Sequence, residues 1–491
     1  MTTKRILAAV CGLLLVTAQD VDANGLLVAN VTVRKRDART AYLTFDISWE
    51  NSWRFTNVNH DAAWVFFKAR QEGQDEWHHV TLEGSGLNPP GYSNGVGTAV
   101  DLIVPDDRIG LFVRRAGQGA GRLAVTNVQA VWNIASANVA KMSLIQMRAQ
   151  ALEMVYVAEG AFKVGSGGNE PGSLTDGSWT SGATIPYRIA SEDELTIANT
   201  PGCLWGTISG SARGTIGTAG TLPAAFPKGY AAFYCMKDEA SQGQYADFLN
   251  TLTAVQATSR FSTSAWTRYT LSVSSGVHSA SVPDRTCNGL CYADAAAFMD
   301  WAGLRPFTEL EFEKACRGPL DPAPREFAWG TTVIGRTTGI LNDSDGTATA
   351  ADGNCNCKVG GVASNPQGPF RVGIYATATS SREQAGASYW GILGLSGNLW
   401  EYAVSVDAPA GRAFTGRHGD GKLTIDGYAD VSGWPSATDA VGIGFRGGSY
   451  HDAENCVRVS DRSWCGGYWD AKRTAFCSCR GVRTAPQWVE P

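Results

Sequence analysis

The chain has 491 residues, a formal net charge of −5 and 18% charged residues. That mild acidity excludes the basic excess of a nucleic-acid binder and gives no acidic tail. Fifty-seven glycines and 16 tryptophans point to a turn-rich fold with few long helices, and the length suits two or three domains at about 150 residues each.

The first 23 residues predict a signal peptide. Lys4 and Arg5 precede an apolar run from Ile6 to Ala18, and Val21-Asp22-Ala23 offers a cleavage site before Asn24. Basic, apolar and small, in that order, is what a secretion machine reads, and the run is too short to span a bilayer. No later stretch is apolar and long enough to be a membrane helix. The expectation is a protein that is secreted, periplasmic or on the cell surface.

Residues 24–135 read as an antiparallel β-sandwich. Leu26 to Val33 is strand-like, Ala41 to Trp49 alternates apolar and polar residues, and Ala63–Ala69 and Ile109–Val113 repeat the theme. Turn clusters such as Asn88-Pro89-Pro90-Gly91 separate them. His78 and His79 are neighbours on a strand, so they point to opposite faces and do not form a two-histidine metal site. Residues 136–153, with Met142, Leu144, Ile145, Met147 and Leu152, read as a helical linker. The region 154–491 follows without another clear boundary.

Twelve cysteines include Cys11, which leaves eleven in the mature chain, all beyond residue 200. An exported protein can oxidise them, so most are expected to staple long loops. Cys287 and Cys291 bracket a turn that a disulfide would close. Cys355 and Cys357, and Cys477 and Cys479, have the spacing that puts two side chains on one strand face. An odd total leaves one thiol free, shared between chains or holding something else.

Four segments of the last region form a set. The first is Met154-Val155-Tyr156-Val157 with Gly160-Ala161-Phe162. The second is Phe233 to Ala240 with Gln244-Tyr245-Ala246-Asp247-Phe248-Leu249-Asn250, an amphipathic helix by its i,i+4 pairs. The third contains Thr308-Glu309-Leu310-Glu311, a capping box that opens a helix closed by Gly318. The fourth is Gly397-Asn398-Leu399-Trp400-Glu401-Tyr402 with Phe445-Arg446-Gly447-Gly448-Ser449-Tyr450 and Arg480-Gly481-Val482-Arg483. In this order they resemble the formylglycine-generating enzyme family, the sulfatase-modifying factors, over about residues 154–485.

The resemblance implies an α+β, C-type-lectin-like fold behind the β-sandwich. It implies a structural calcium held by the carbonyls of Gly397 and Leu399 and the carboxylate of Glu401, with the family's ligand three residues earlier replaced by Gly394. Hard oxygen ligands suit that ion. A second calcium loop is echoed at Asn342-Asp343-Ser344-Asp345. The family's oxidase chemistry uses two cysteines that bind copper(I). Their positions here hold Asp452 and Val457, and Cys456 stands one place short of the second. A single thiolate does not make a two-sulfur copper site.

Ser449 and Cys456 are the residual catalytic candidates. His451 and Asp452, beside Glu454 and Asp461, form a polar cluster able to bind a metal, move a proton or simply cover a surface. Trp464, Tyr468 and Trp469 lie amid Gly466-Gly467 and suit stacking on a sugar or anchoring a protein partner, or a place in the core. The combined expectation is an exported, non-catalytic binding or surface-assembly protein, with a metal-dependent oxidase of the same family and a polymerising structural subunit as alternatives. Its partner is an extracellular glycan or protein, or a second copy of the chain.

Overall fold

The structure is a computed structural model and describes residues 25–136, 145–180, 183–207, 216, 218–344, 346–466 and 472–487. The expected signal peptide, Tyr468 and Trp469 lie outside the described residues. Among the described residues the fold is mostly β with few helices, and its sheets are antiparallel apart from one short parallel pair.

The alternation in Thr40–Thr56 becomes a strand whose Ala41, Leu43, Phe45, Ile47 and Trp49 are buried. It pairs with Gly119–Asn133 on one side and Leu27–Lys35 on the other. The strand Asn59–Gln71 is buried on both faces. Ala63, Val65, Phe67 and Ala69 join Leu43, Phe45, Ile47 and Trp49 in one core. Ala62, Trp64 and Phe66 join a second core, built largely from residues beyond 150. The period of two thus gives one strand to two cores.

The helical linker expected over 136–153 is corrected from Ile145 onward: Ile145–Val157 is a thirteen-residue strand. It pairs with Asn59–Gln71 from Ile145↔Gln71 to Val155↔Asp61. Its far end pairs on the other edge with Phe233–Met236. Ala, Met, Gln and Leu favour a helix locally, but two waiting strand edges satisfy this backbone and override that preference. A thirteen-stranded sheet consequently runs through both regions, from Arg305–Pro306 by way of Gly481–Thr484, Phe233–Met236 and Ile145–Val157 to the strands before residue 134.

Polar ties reinforce the junction. Trp64 Nε1 donates to the Ala302 carbonyl at 2.8 Å, and Lys68 Nζ to that of Gly421 at 2.9 Å. Lys237 and Glu153 pair at 2.6 Å. His78 and His79 divide as expected, the first half-buried and the second buried.

The helices follow their caps. Glu309–Arg317 starts at Thr308, whose side chain accepts the Glu311 N–H while Glu311 returns to the Thr308 N–H. It stops at Gly318, where φ is 64° and a side chain would meet the Tyr389 ring. The helix expected near Asp238–Asn250 covers Gln242–Leu249 and is capped by Ser241.

The expected disulfide staples are corrected as well: all eleven cysteines beyond Cys11 are free thiols, and nine of them are buried. Cys291 donates to Asp294 Oδ2 at 3.1 Å instead of closing a turn with Cys287. Cysteine here behaves as a small apolar core residue.

Candidate functional site

Three short strands make the base of the site. Trp400–Val404 pairs antiparallel with Ile443–Arg446, so that Tyr402 faces Phe445, and parallel with Cys477–Ser478, so that Trp400 faces Cys477. The chain then turns through Gly447 and Gly448, at φ of 88° and 72°. A Cβ on Gly448 would stand 2.5 Å from Val457 Cγ1, so the turn requires glycine.

That turn delivers Ser449–Asp452. The Ser449 N–H donates to Asp452 Oδ2 at 3.1 Å, and the Ser449 hydroxyl donates to the same oxygen. The Asp452 N–H returns to the Ser449 carbonyl at 3.0 Å. The Asp452 carbonyl accepts the Lys358 N–H at 2.8 Å. Asp452 is therefore held at both ends, by its side chain and by its backbone.

Beside it opens a cavity of about 240 Å³ lined by Trp400, Phe445, His451, Asp452, Trp464, Thr474, Phe476 and Cys477. Four of the eight are tryptophan or phenylalanine. The His451 ring lies 5.0 Å from that of Phe476. Burial pushes the Cys477 thiol up to about 11, so it enters the cavity as a neutral group at pH 7. The arrangement offers flat apolar walls, one fixed carboxylate and one exposed imidazole.

The sequence candidates divide clearly. His451, Asp452 and Trp464 come together at this cavity, with the buried Ser449 holding Asp452 from behind. Cys456 is not among its described lining residues, and burial, Asp461 and Asp452 push its thiol up to about 12. Val457 is buried in a separate cluster with Phe327, Trp329, Cys355 and Cys357. Trp400, Phe445, Thr474 and Phe476 were not anticipated as walls, because no local spacing joins residues contributed by separate strands and turns.

Glu401 points into the protein. Its Oε1 accepts from Arg480 Nε at 2.7 Å, while Oε2 is buried without a hydrogen-bond partner. Glu239 Oε1 and Asn356 Oδ1 are buried and unpartnered too. Burial and the neighbouring Glu401 push Glu239 well up. A Cβ on Gly394 would lie 3.2 Å from Glu239 Oε2, so this carboxylate fills the space that a side chain at 394 would take. Glu401 Oε2 is thus the carboxylate oxygen left for a hard cation, since Oε1 is committed to Arg480.

Asn342 sits apart on an exposed loop and donates to Thr347 Oγ1 at 3.2 Å. The adjacent Asp343 is held by Arg268 at 2.8 Å, which commits that carboxylate to a guanidinium and not to a metal. Asp300, Asp420 and Asp430 form a carboxylate group the sequence did not suggest. Asp300 already accepts the Asp420 and Asp430 N–H groups at 3.0 and 3.1 Å, so it orders two loop residues.

Residues 141–484 match the family model described as "Sulfatase-modifying factor enzyme 1-like domain". Two similar proteins are hercynine oxygenases. That of Mycolicibacterium thermoresistibile is 32% identical over 187 residues, covering 37% of this chain and 33% of the relative. That of Mycolicibacterium smegmatis is 30% identical over 191 residues, covering 38% and 36%. The chain thus spans about a third of the length of these relatives.

Proposed function

Because the chain belongs to the sulfatase-modifying factor family, we propose that it is an exported member that binds a ligand in the aromatic-walled cavity and does not carry out the family's thiol chemistry. One observation carries this reading: at the cavity wall stands Asp452, fixed by Ser449, while Val457 is packed into a core. The ligand is an extracellular glycan or a protein side chain, with a ring or apolar face for Trp400, Trp464, Phe445 and Phe476 and a donor for Asp452. The strands before residue 134 serve as a β-sandwich support fused to the binding domain.

Calcium is part of the proposal as a structural ion. Glu401 and the carbonyls of Gly397 and Leu399 would hold it, and it would supply positive charge to the Glu401 oxygen that Arg480 leaves free. Export rests on residues 1–23. An N-terminus at Asn24 in protein recovered outside the cytoplasm supports it, and a retained Met1 overturns it.

The test of function is direct. Purified protein with copper and a Cys-x-Pro-x-Arg peptide is expected to form no aldehyde, and a glycan and peptide array is expected to yield a binder that Trp464→Ala and Asp452→Ala both lose. Aldehyde formation would overturn the reading. A second reading, an oxidase of this family, is favoured by the similarity to the hercynine oxygenases and by the His451–Asp452 pair at the cavity. Oxygen consumption that His451→Ala abolishes would establish it instead. A polymerising subunit predicts a ladder on a non-reducing gel that reductant removes.

A further inference from the structure

The aromatic-walled cavity has a charge preference. Its lining holds one carboxylate, Asp452, and no lysine or arginine among the described residues. Arg473, beside the wall residue Thr474, is committed elsewhere. Asp294 accepts from its guanidinium at 2.7 and 2.9 Å, and the Ser259 carbonyl does so at 2.7 Å. The Cys477 thiol, pushed up to about 11, adds no charge at pH 7. An anionic ligand would meet Asp452 with no lysine or arginine to offset it. A cation would meet that carboxylate together with the aromatic side chains of Trp400, Phe445, Trp464 and Phe476. Resting on the reading of this cavity as a ligand site, we infer that it takes a lysine side chain of a partner polypeptide, with the ammonium on Asp452 and the stem along the aromatic walls.

The bonding of Asp452 selects lysine among cations. Its Oδ2 already accepts the Ser449 N–H at 3.1 Å and the Ser449 hydroxyl. Its Oδ1 receives no hydrogen bond from a described residue, which leaves one carboxylate oxygen for the ligand. A guanidinium forks onto both oxygens of a carboxylate, so arginine would lose half of its best arrangement here. An ammonium is a compact point charge and is served by a single oxygen. A trimethylated ammonium has no N–H to give that oxygen.

The walls select the stem. Four methylenes can lie along apolar surface while the head keeps a polar partner. The cavity, at about 240 Å³, is smaller than the roughly 300–1,000 Å³ of sites that enclose whole small molecules. It therefore suits one side chain better than an oligosaccharide, whose hydroxyls would need more partners than Asp452, His451 and Thr474 supply. The carboxylate is also set in advance: the Lys358 N–H holds the Asp452 carbonyl at 2.8 Å, so little ordering is left for the moment of binding.

The experiment is calorimetric titration of the full chain with four acetylated, amidated pentapeptides, Gly-Gly-X-Gly-Gly, in which X is lysine, norleucine, arginine or trimethyl-lysine. The lysine peptide should bind tightest, and norleucine, which keeps the stem without the charge, about 10-fold or more weaker. Asp452→Asn should erase the difference between lysine and norleucine, and Trp464→Ala should weaken both. The ranking of the four peptides on the unmutated protein needs no variant to fold. Norleucine equal to lysine, or arginine or trimethyl-lysine bound more tightly, overturns the inference. No lysine binding, with a different array ligand that Trp464→Ala abolishes, overturns it and leaves the cavity as a ligand site. No ligand of any class that depends on Trp464 overturns both.

Discussion

The strands before residue 134 and the loops beyond 160 are held by different means. The first region packs Leu43, Phe45, Ile47 and Trp49 against Val65, Phe67, Leu111 and Val113 in an apolar core. The second buries Arg305, Arg317, Arg446, Arg462, Arg480 and Arg483 almost completely. Arg305 meets Glu311 at 2.7 Å, Arg317 meets Glu313 at 3.0 Å, Arg446 meets Glu313 at 2.8 Å and Arg462 meets Asp407 at 2.7 Å. Arg480 meets Glu401 at 2.7 Å. Glu309, Glu311 and Glu313, all on one helix, thereby receive guanidinium groups from segments as distant as Arg462. Regular strands satisfy their own backbone, so side chains are free to be apolar. Irregular loops do not, and a guanidinium with five donors can bind carboxylates and loop carbonyls together. Arg480, for one, also donates to the carbonyls of Met236, Lys237 and Leu393. These ties occupy the role that disulfides were expected to fill.

The sharpest way to break this contrast is to remove one guanidinium. Arg446→Met leaves Glu313 buried without one of its two arginines and removes a cation from beside Glu309, and it should cost about 3–5 kcal/mol. Urea denaturation followed by tryptophan fluorescence measures it. A loss under about 1 kcal/mol would show that the loops stand without the network. The counterpart in the strand region is Leu43→Ala, a cavity in an apolar core, expected to cost about 3 kcal/mol. It should leave ligand binding at the cavity unchanged, because Leu43 belongs to the other core.

The same contrast explains what could be read in the sequence. Alternation in 40–49 specified a half-buried strand, and Thr308 to Glu311 specified a helix start, because each signal is local. Ser449, His451 and Asp452 are legible because they end or follow one Gly-Gly-Ser motif, and Trp464 because it stands with Tyr468 and Trp469 among glycines. Ile145–Val157 was misread because its composition suits a helix, and only the edges of Asn59–Gln71 and Phe233–Met236 make it a strand. The walls Trp400, Phe445, Thr474 and Phe476 come from segments that no spacing relates. The cysteines misled because compartment and count say how thiols react and not whether they meet.

pH separates Glu309, whose two arginines outweigh its burial, from Asp247, whose burial prevails. Burial pushes Glu309 up, but Arg462 and Arg446 outweigh it and hold the group at about 2. Its contribution is present above pH 4.5 and is lost only as pH falls toward 2. Asp247, on Gln242–Leu249, is buried with only the more distant Arg148 to oppose desolvation, and rises to about 7. A raised carboxylate favours the folded state below its unfolded value near 3.8, and that advantage disappears as pH climbs through 7. Asp247→Asn, which stays neutral, should therefore reduce the fall in stability between pH 4 and 7 by at least about 1.4 kcal/mol, the equivalent of one pKa unit. Glu153 rises to about 7 by burial as well, so some slope should remain. Melting temperatures at pH 4, 5.5 and 7 compare the two proteins, and parallel curves would reject the assignment.

The smallest expected effect lies where local structure and the arginine network meet. Thr308 Oγ1 accepts the Glu311 N–H at 3.1 Å and donates to the Pro227 carbonyl at 2.9 Å. Glu311 in turn accepts from the Thr308 N–H at 2.9 Å and from Arg305 Nη1 at 2.8 Å. If the cap acts only on its own helix, Thr308→Ala should cost about 1 kcal/mol and Thr308→Ser close to none. If the cap also positions Glu311 for Arg305, the two changes should not add. The double variant Thr308→Ala/Arg305→Met would then lose less than the sum of the single losses, by more than about 0.5 kcal/mol. Additivity within that margin would place helix capping and arginine ties in separate energetic units.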